Sequence, residues 1–338
     1  MTPGDVMAGE MAEQPACLAA LVARRNEVAR NLRPILHGAT GTVVVARGSS
    51  DHAATAGRYL LEMAMRRPVA SASPSVVDLY GVDIDFTGYV VIGASQSGRT
   101  TEIADYLAHA ARRGGRTIAI TNDASSPLAA AAEAVVDLGA GEERAVPATK
   151  TVTAELVAFA LVAASARETI ADAQWDALGD QAARVLADPE PMRALADWLA
   201  PARRLVVVAR GPMSGAAAET ALKLEETTSL LATAISANDL RHGPIALASS
   251  TVPVLAFAHP GPAAAGVLAL CDDLVERGAD VRVVGPVRAG CAGWDPAVPE
   301  ELAPVLAVIR CQQLAHALAM RLGVDPDRPF GLSKVTAT

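Results

Sequence analysis

Aromatic residues make up only 3% of the 338 residues, and the net charge is -8 at pH 7. A nucleic-acid surface needs basic patches and stacking rings, so both figures argue against one. Cysteine is also scarce: the chain has four cysteines, far apart and without a Cys-x-x-Cys pair. This spacing predicts neither a zinc site nor a disulfide framework. We therefore expect a cytoplasmic protein with reduced thiols and no metal site.

Long hydrophobic segments are missing as well. The longest apolar helical stretch, at residues 156–166, is too short to cross a bilayer. The N-terminal region carries Asp5, Glu10 and Glu13 and does not resemble a signal peptide. The chain does have 51% hydrophobic residues and a length that suggests two globular domains. With nucleic acid and membrane excluded as partners, the expected ligand is a small molecule.

The most informative stretch is residues 90–101, where an apolar run leads into a polar turn and then into a predicted helix. The turn carries four short, neutral side chains that can hydrogen-bond to a phosphate: Ser95, Gln96, Ser97 and Thr100. The free N–H groups and the dipole of the helix N-terminus also favour an anion. Because the pattern is short, it is by itself more typical of an ordinary polar loop before a capped helix. The rest of the chain leads us to favour the anion site.

Strands and helices are predicted to alternate. The predicted strands lie at residues 42–46, 75–79, 89–92, 117–120 and 134–138, with helices over 53–65 and 101–112. One or two helices over residues 10–36 precede them, and a helical connector over 171–203 follows. Alternation of this kind predicts an α/β fold with a doubly wound parallel sheet.

The second half of the chain repeats the first. Val206–Gly211 has the same sequence as Val43–Gly48, 163 positions later, and Gly261 stands at the same distance from Gly98. A shared strand with a preserved register predicts two tandem domains of one fold. The expected organisation is lead-in helices at 1–38, a phosphate-binding domain at 39–170, a helical connector at 171–200, a second domain with acid-base residues at 201–325 and a C-terminal tail at 326–338 that closes the active site.

The two halves differ in their polar residues. Ala-His-Pro-Gly at 258–261 stands where the first half has the Ser-Gln-Ser-Gly turn, so its hydroxyls are lost. Conversely, Glu219, Lys223 and Glu226 share one helix face where the first half has apolar residues. They form either a solvated Glu–Lys pair or part of a cleft, where a carboxylate can have a raised pKa suited to acid-base work. The apolar counterparts favour the cleft.

Two further residues are candidates for chemistry. His242 precedes a Gly-Pro pair that predicts an exposed turn. Lys334 lies four residues from the end of the sequence, where a surface residue is ordinarily frayed. Its apolar neighbours Leu332 and Val335 instead predict a tail that docks.

Taken together, these residues resemble the sugar isomerase (SIS) domain proteins, specifically the isomerase half of glucosamine-6-phosphate synthase and its deaminase relatives. Six ordered motifs carry the resemblance over nearly the whole chain: Gly48-Ser49-Ser50, Ser95-Gln96-Ser97-Gly98, Ala148-Thr149-Lys150, Ala221-Leu222-Lys223-Leu224-Glu225-Glu226, His242-Gly243-Pro244 and Leu332-Ser333-Lys334-Val335-Thr336. It implies a pair of flavodoxin-like domains that usually work as a homodimer, without a cofactor.

The resemblance also implies a role for each site residue. Glu226 moves a proton between the first two sugar carbons, His242 from the neighbouring subunit assists ring opening, and Lys334 reaches the open-chain carbonyl. The substrate-binding residues are Ser49, Ser50, Ser95, Gln96, Ser97, Thr100, Val146 and Lys223. This chemistry is coherent, because one carboxylate can take and return the proton, and a lysine can form an imine or polarise the oxyanion.

The sequence departs from the synthase in ways that bear on the reaction. It begins Met1-Thr2-Pro3 without the glutaminase domain, so we expect no ammonia from glutamine by that route. The predicted reaction is deamination of glucosamine 6-phosphate to fructose 6-phosphate and ammonia. Alternatives are action on another phosphosugar, such as galactosamine 6-phosphate or a fructosamine 6-phosphate, and a non-catalytic sugar-phosphate sensor.

Two substitutions affect the choice of sugar. Ala148 replaces a serine of the synthase, which removes a hydroxyl from the site. Arg99 replaces a glutamate directly after the phosphate turn. Its side chain either adds a charge-assisted contact to the phosphate or faces solvent.

Overall fold

The computed structural model describes residues 2–334, and the chain divides into two compact units. The first unit comprises residues 16–142 and 150–176, and the second comprises residues 2–15, 143–149 and 177–334. Val335 and Thr336, which belong to the last motif of the resemblance, lie outside the described residues.

The elements of the first half follow one another as α1 (Asp5–Ala23), α2 (Arg25–Leu36), β1 (Gly41–Val45), α3 (Gly48–Met65), β2 (Val69–Ser71), α4 (Pro74–Asp78), β3 (Tyr89–Ala94), α5 (Thr101–Arg112), β4 (Arg116–Thr121), α6 (Pro127–Ala130), β5 (Ala134–Asp137), α7 (Lys150–Ala166) and α8 (Asp172–Asp176). The second half continues with α9 (Leu178–Ala187), α10 (Glu190–Leu199), β6 (Arg204–Ala209), α11 (Met213–Thr228), β7 (Leu231–Ser236), α12 (Ala237–Arg241), a 3-10 helix (Pro244–Leu247), β8 (Val254–Phe257), α13 (Ala264–Glu276), β9 (Val281–Val284) and α14 (Ala303–Leu322).

Each unit is built on one parallel sheet. The strand order is β2-β1-β3-β4-β5 in the first unit and β7-β6-β8-β9 in the second. Every pair of neighbouring strands is parallel, and Val43 of β1 lies opposite Val91 of β3. Strands of such sheets are covered on both faces and therefore have continuous apolar sequences. The order is that of flavodoxin-like folds, which confirms the predicted α/β class and the two tandem doubly wound sheets.

Helix α7 is central to the core of the first unit. Nearly all of its residues are buried, and it packs against α2 and α3. The contact with α3 is close, because a Cβ on Gly57 would lie 2.4 Å from the ring of Phe159. A glycine is therefore required where these two helices meet.

Helix α14 has the corresponding place in the second unit, where it packs against α10 and α11. Its buried Arg310 donates hydrogen bonds to the carbonyl oxygens of Gly293 and Asp188, so the charge is satisfied within the core. Among the helices within residues 2–334, none combines the length and the hydrophobicity that a bilayer crossing requires.

The predicted strand at residues 75–79 is wrong. The pair Val76-Val77 favours a strand, but Pro74 stands at the first position of helix α4 and presets its backbone for a helix. The strand at this place in the sheet is β2, and its Val69 pairs with Thr42 of β1. The predicted connector over 171–203 is helical but consists of three short helices, α8 to α10.

Candidate functional site

The first sheet has a topological switch point between β1 and β3, which are neighbours in the sheet although β2 separates them in sequence. Ligands of doubly wound sheets bind at such a point, beyond the carboxyl ends of the strands. Helix α3 begins directly after β1, at Gly48, and the polar turn at residues 95–100 joins β3 to α5. Both segments with anion-binding character therefore lie at the switch point of the same sheet.

The polar turn is tightly built. The Ser95 Oγ and Thr100 Oγ1 atoms are 3.3 Å apart, and the Arg99 N–H donates to Ser97 Oγ at 3.2 Å. Thr100 does not cap α5 with its side chain, so its hydroxyl faces the turn. Gly98 has φ +61°, and a Cβ there would lie 2.1 Å from Ser126 Oγ. The hydroxyls of Ser95 and Thr100 thus lie together ahead of the N-terminus of α5, and Ser97 lies in the same turn.

The Gly48-Ser49-Ser50 motif is not a turn before a helix, as we expected, but forms the first turn of α3. Ser50 is buried, and its hydroxyl donates to Glu155 Oε1 of α7 at 2.8 Å. The Ser50 side chain therefore holds α3 against α7, and Ser49, the other serine of the motif, is partly exposed in the first turn of α3. Gln96 lies within the polar turn, where its carbonyl oxygen accepts a hydrogen bond from the Asn122 N–H.

Arg99 adopts a position that the sequence left undecided. Its guanidinium donates to the Asp123 carboxylate at 2.9 Å, and 62% of the side chain is exposed. Hydrogen bonds from Ser125, aided by Arg99, lower the pKa of Asp123. The arginine is thus engaged by a carboxylate at the surface of the first unit.

The corresponding turn of the second sheet is filled by protein. His259 is buried; its Nε2 atom lies 2.8 Å from the Val298 oxygen, and its Nδ1 atom accepts from the Trp294 indole at 3.1 Å. The two rings stack with their centroids 6.0 Å apart. Burial lowers the pKa of His259, so the imidazole stays neutral at pH 7. The turn of the second half thus places a buried, neutral imidazole where the first half has hydroxyls, and the anion-binding role of the first turn stays a prediction.

Helix α11 of the second unit carries the row of ionisable residues. Lys223 is fully buried and donates a hydrogen bond to Glu226, while its Nζ atom lies 3.5 Å from Glu219 Oε1. Glu219 is also buried, whereas 20% of the Glu226 side chain is exposed. The row is therefore no solvated surface pair, and only its last carboxylate reaches solvent.

Burial raises the pKa of the Glu226 carboxyl, and Lys223 opposes this rise without cancelling it. For Lys223, burial alone would lower the pKa, but Glu219 and Glu226 outweigh burial and raise it. The ammonium therefore remains charged at neutral pH. A partly exposed carboxyl with a raised pKa beside a fixed positive charge has the properties of a general acid-base group. Burial also raises the pKa of the nearby Cys311 thiol to about 12, so this thiol stays protonated.

The loop at residues 143–149 holds the candidate Lys334. Its Nζ atom donates to Glu143 Oε2 at 2.6 Å, within the second unit. Val146 lies in the same loop, and its N–H donates to the Asp327 carbonyl oxygen at 3.5 Å. Of the two apolar neighbours that are expected to dock the tail, Leu332 is half exposed, and Val335 lies outside the described residues. Within the described residues, the ion pair with Glu143 holds Lys334.

Glu143, the partner of the candidate Lys334, was not among the residues that our reading of the sequence selected. Its own signal is weak, because it is one of two adjacent glutamates in a polar loop. The positions of the few lysines would have been a better guide to this contact than Glu143 itself. The chain has only three lysines among 29 basic residues, and they are Lys150, Lys223 and Lys334. Where arginine supplies nearly all positive charge, a retained lysine indicates a role that guanidinium cannot fill.

His242 directly follows helix α12 and is exposed, as the Gly-Pro pair predicted. The 3-10 helix at Pro244–Leu247 follows directly and also has exposed residues. The imidazole is thus accessible at the surface of the second unit.

A family model described as the SIS domain matches residues 35–165 and 198–284. The chain therefore belongs to the SIS domain family. It is 33% identical over 313 residues to glutamine-fructose-6-phosphate aminotransferase (isomerizing) of Gloeobacter violaceus, covering 86% of this chain and 51% of that protein. The enzyme of the same name from Thermococcus kodakarensis is 30% identical over 345 residues, with 97% and 57% covered. The chain spans about half the length of these curated relatives.

Solved structures share the same fold. A protein of Silicibacter pomeroyi DSS-3, provisionally described as a phosphosugar isomerase, matches with a TM-score of 0.87 and 29% identity over 95% of this chain and 99% of its own. Glucosamine-6-phosphate deaminase of Thermotoga maritima matches with a TM-score of 0.74 over 96% of this chain and 100% of its own. At 20% identity, the second likeness shows the fold alone.

Proposed function

We propose that this chain is a phosphosugar isomerase that deaminates glucosamine 6-phosphate to fructose 6-phosphate and ammonia. The observation that carries the proposal is the state of Glu226: a carboxyl with a raised pKa, partly exposed at the end of a buried row with Lys223 and Glu219. Moving a proton between two adjacent sugar carbons requires one base that also returns the proton as an acid. Glu226 meets this requirement.

The other residues take the roles that the family resemblance implies. The polar turn with Ser95, Ser97 and Thr100 binds the phosphate, while His242, contributed by a second subunit of a homodimer, assists ring opening. Lys334 acts on the open-chain carbonyl. Isomerisation converts the amino aldose into a ketose imine, and addition of water to that imine releases ammonia and leaves fructose 6-phosphate. The names of the aminotransferase relatives, which act on fructose 6-phosphate, support this choice of sugar.

Incubation of the purified protein with glucosamine 6-phosphate tests the reaction directly. We expect ammonia and fructose 6-phosphate in equal amounts, and no product from unphosphorylated glucosamine, since the phosphate contributes binding energy to the transition state. Product from galactosamine 6-phosphate or a fructosamine 6-phosphate alone would contradict the proposed sugar. Thermal stabilisation by these compounds without any turnover would instead support the non-catalytic sensor.

Replacing both Ser95 and Ser97 with alanine is expected to raise KM for glucosamine 6-phosphate about 10²- to 10⁴-fold, because two hydrogen bonds to a charged group are lost and each is worth roughly 1.5–3 kcal/mol. We expect a smaller effect on kcat, since the phosphate is remote from the reacting carbons. Steady-state kinetics measure both constants. The matched control is Ser73→Ala, which removes an exposed hydroxyl ahead of α4 in the same unit. An equal rise in KM for that control would contradict a phosphate-binding role.

A further inference from the structure

The contact between Lys334 and Glu143 has properties that a surface ion pair lacks. The Glu143 side chain has no exposed area, whereas 21% of the Lys334 side chain is exposed. Their Oε2 and Nζ atoms are 2.6 Å apart, which is the short distance typical of a charge-assisted hydrogen bond. A buried carboxylate thus receives an amine that remains accessible from solvent.

The carboxylate of Glu143 is itself held in one orientation. Its Oε1 atom accepts hydrogen bonds from the backbone N–H of Thr149 at 2.9 Å and from the Thr149 hydroxyl at 3.1 Å. Two donors on one oxygen turn the Oε2 atom toward Lys334. Because Thr149 lies in the same loop, the geometry of the acceptor is set before the lysine arrives.

The loop that carries Glu143 is fixed at a second place. Glu10, a buried residue of α1, accepts hydrogen bonds from the backbone N–H groups of Arg144 and Ala145. These contacts satisfy backbone donors of a loop that would otherwise be free to move. The loop is therefore a rigid platform for the Glu143 carboxylate.

The tail approaches this platform from a fixed point at Asp327. The Asp327 carboxylate accepts from the N–H groups of Val6 and Met7 at 3.0 and 2.8 Å, in the first turn of α1, where a negative charge is favoured. Between Asp327 and Lys334, however, Phe330 is fully exposed and Leu332 is half exposed. Pro329 is buried, but residues 330–333 that follow it are exposed, so the ion pair is the contact that places the amine.

We propose that Glu143 is a positioning residue that holds the Lys334 amine at a defined place for its reaction with the open-chain carbonyl. The catalytic part of this inference rests on the proposed function. The positional part does not, since it concerns two side chains of this chain alone. Glu143 makes no contact with the sugar in this role and acts only through Lys334.

Acylation of lysine amines, followed by peptide mass spectrometry, tests the positional part. Only Lys334 is expected to react in the folded protein, because Lys150 and Lys223 are buried. An amine that donates to a carboxylate reacts slowly with acetic anhydride. In Glu143→Gln, we expect Lys334 to react about tenfold faster, as one charge-assisted hydrogen bond is lost. The matched control is Glu142→Gln, which removes an exposed charge from the adjacent residue.

Protection of Lys150 and Lys223 reports whether each variant is folded. If Lys150 and Lys223 become reactive in Glu143→Gln, the variant Glu143→Asp is used in its place. Aspartate keeps the negative charge, but its side chain is one methylene shorter. We then expect Lys334 to be acylated at a rate between those of the wild type and Glu143→Gln. Equal acylation of Lys334 in the wild type and a folded Glu143 variant would overturn the positioning role.

Kinetics with glucosamine 6-phosphate test the catalytic part. We expect Glu143→Gln to lower kcat about tenfold or more and to leave KM within about twofold, because the amine is misplaced but the phosphate contacts are kept. Faster acylation without any change in kcat would refute the catalytic part. Absence of turnover in the wild type refutes the proposed function instead, and the acylation result then still decides whether Glu143 holds the amine.

Discussion

Glu226→Gln is expected to lower kcat for glucosamine 6-phosphate by about 10²- to 10⁴-fold, the range that a positioned general base contributes. Glutamine keeps the shape of the side chain and can still accept a hydrogen bond from Lys223, but it cannot take a proton from carbon. Binding should therefore change little. Steady-state kinetics give kcat, and the rise in Tm with substrate gives the affinity of the variant.

The adjacent Glu225 supplies the matched control. It lies on the same helix turn but is exposed, so Glu225→Gln should leave kcat and KM close to the wild-type values. If Glu226→Gln retains full activity, Glu226 is not the base. A decrease of similar size in both variants would point to a general effect on α11.

The pH profile gives a second criterion for Glu226. Burial raises its pKa above the ordinary value of 4.5, although Lys223 opposes this. The base acts in its deprotonated form, so activity should fall as the pH is lowered through the raised pKa. The acid limb of kcat/KM in the wild type is therefore expected above pH 4.5. A limb at or below pH 4.5 would contradict the assignment.

Lys223→Met is expected to lower the free energy of unfolding by about 3–5 kcal/mol at neutral pH, the cost of leaving a buried charge without its partner. Methionine fills a similar volume, so packing of α11 against α14 is kept. The variant loses the ammonium that both Glu219 and Glu226 face. Urea unfolding at several pH values measures the loss.

The dependence of this loss on pH follows from linkage. Without Lys223, the main opposition to the rise that burial causes in the pKa of Glu226 is lost, and only the more weakly acting Lys334 remains to lower it. A carboxyl whose pKa is higher in the folded state favours folding when protonated, so the loss should be largest well above pH 4.5 and shrink as the pH falls. Glu219→Gln in the Lys223→Met background should recover part of the stability. Arg203→Met, a change of an exposed residue, is the control. A loss no larger than that of the control would contradict a buried charge network.

Local patterns were sufficient to predict most of the two sheets. Parallel strands buried on both faces leave continuous apolar runs such as Val43–Ala46, and the repeat of this run at residues 206–209 predicted the second sheet. The prediction failed at α4, where two adjacent valines outweighed Pro74 in our reading of the sequence. In the structure, the φ angle that the proline ring fixes suits the first position of a helix, and the segment is helical.

The residues of the candidate site also fall into two groups: those that a local pattern revealed and those whose contacts only the fold creates. Glu219, Lys223 and Glu226 were recognised because residues spaced by three or four share one face of a helix, a relation that the sequence alone displays. That Ser50 bonds to Glu155 and that Arg99 turns to Asp123 could not be predicted, since each pair joins different segments of the first unit.

By itself, the sequence determined the alternation of strands and helices, the polar composition of the turn after β3 and the charged row of α11, because all three depend on neighbours within a few residues. The tertiary structure alone decided which carboxylate receives Lys334. Glu143 and Lys334 are 191 positions apart. Their pairing depends on how α1, the loop at 143–149 and the C-terminal segment pack together in the second unit, and no local pattern encodes a contact between segments so distant in the chain.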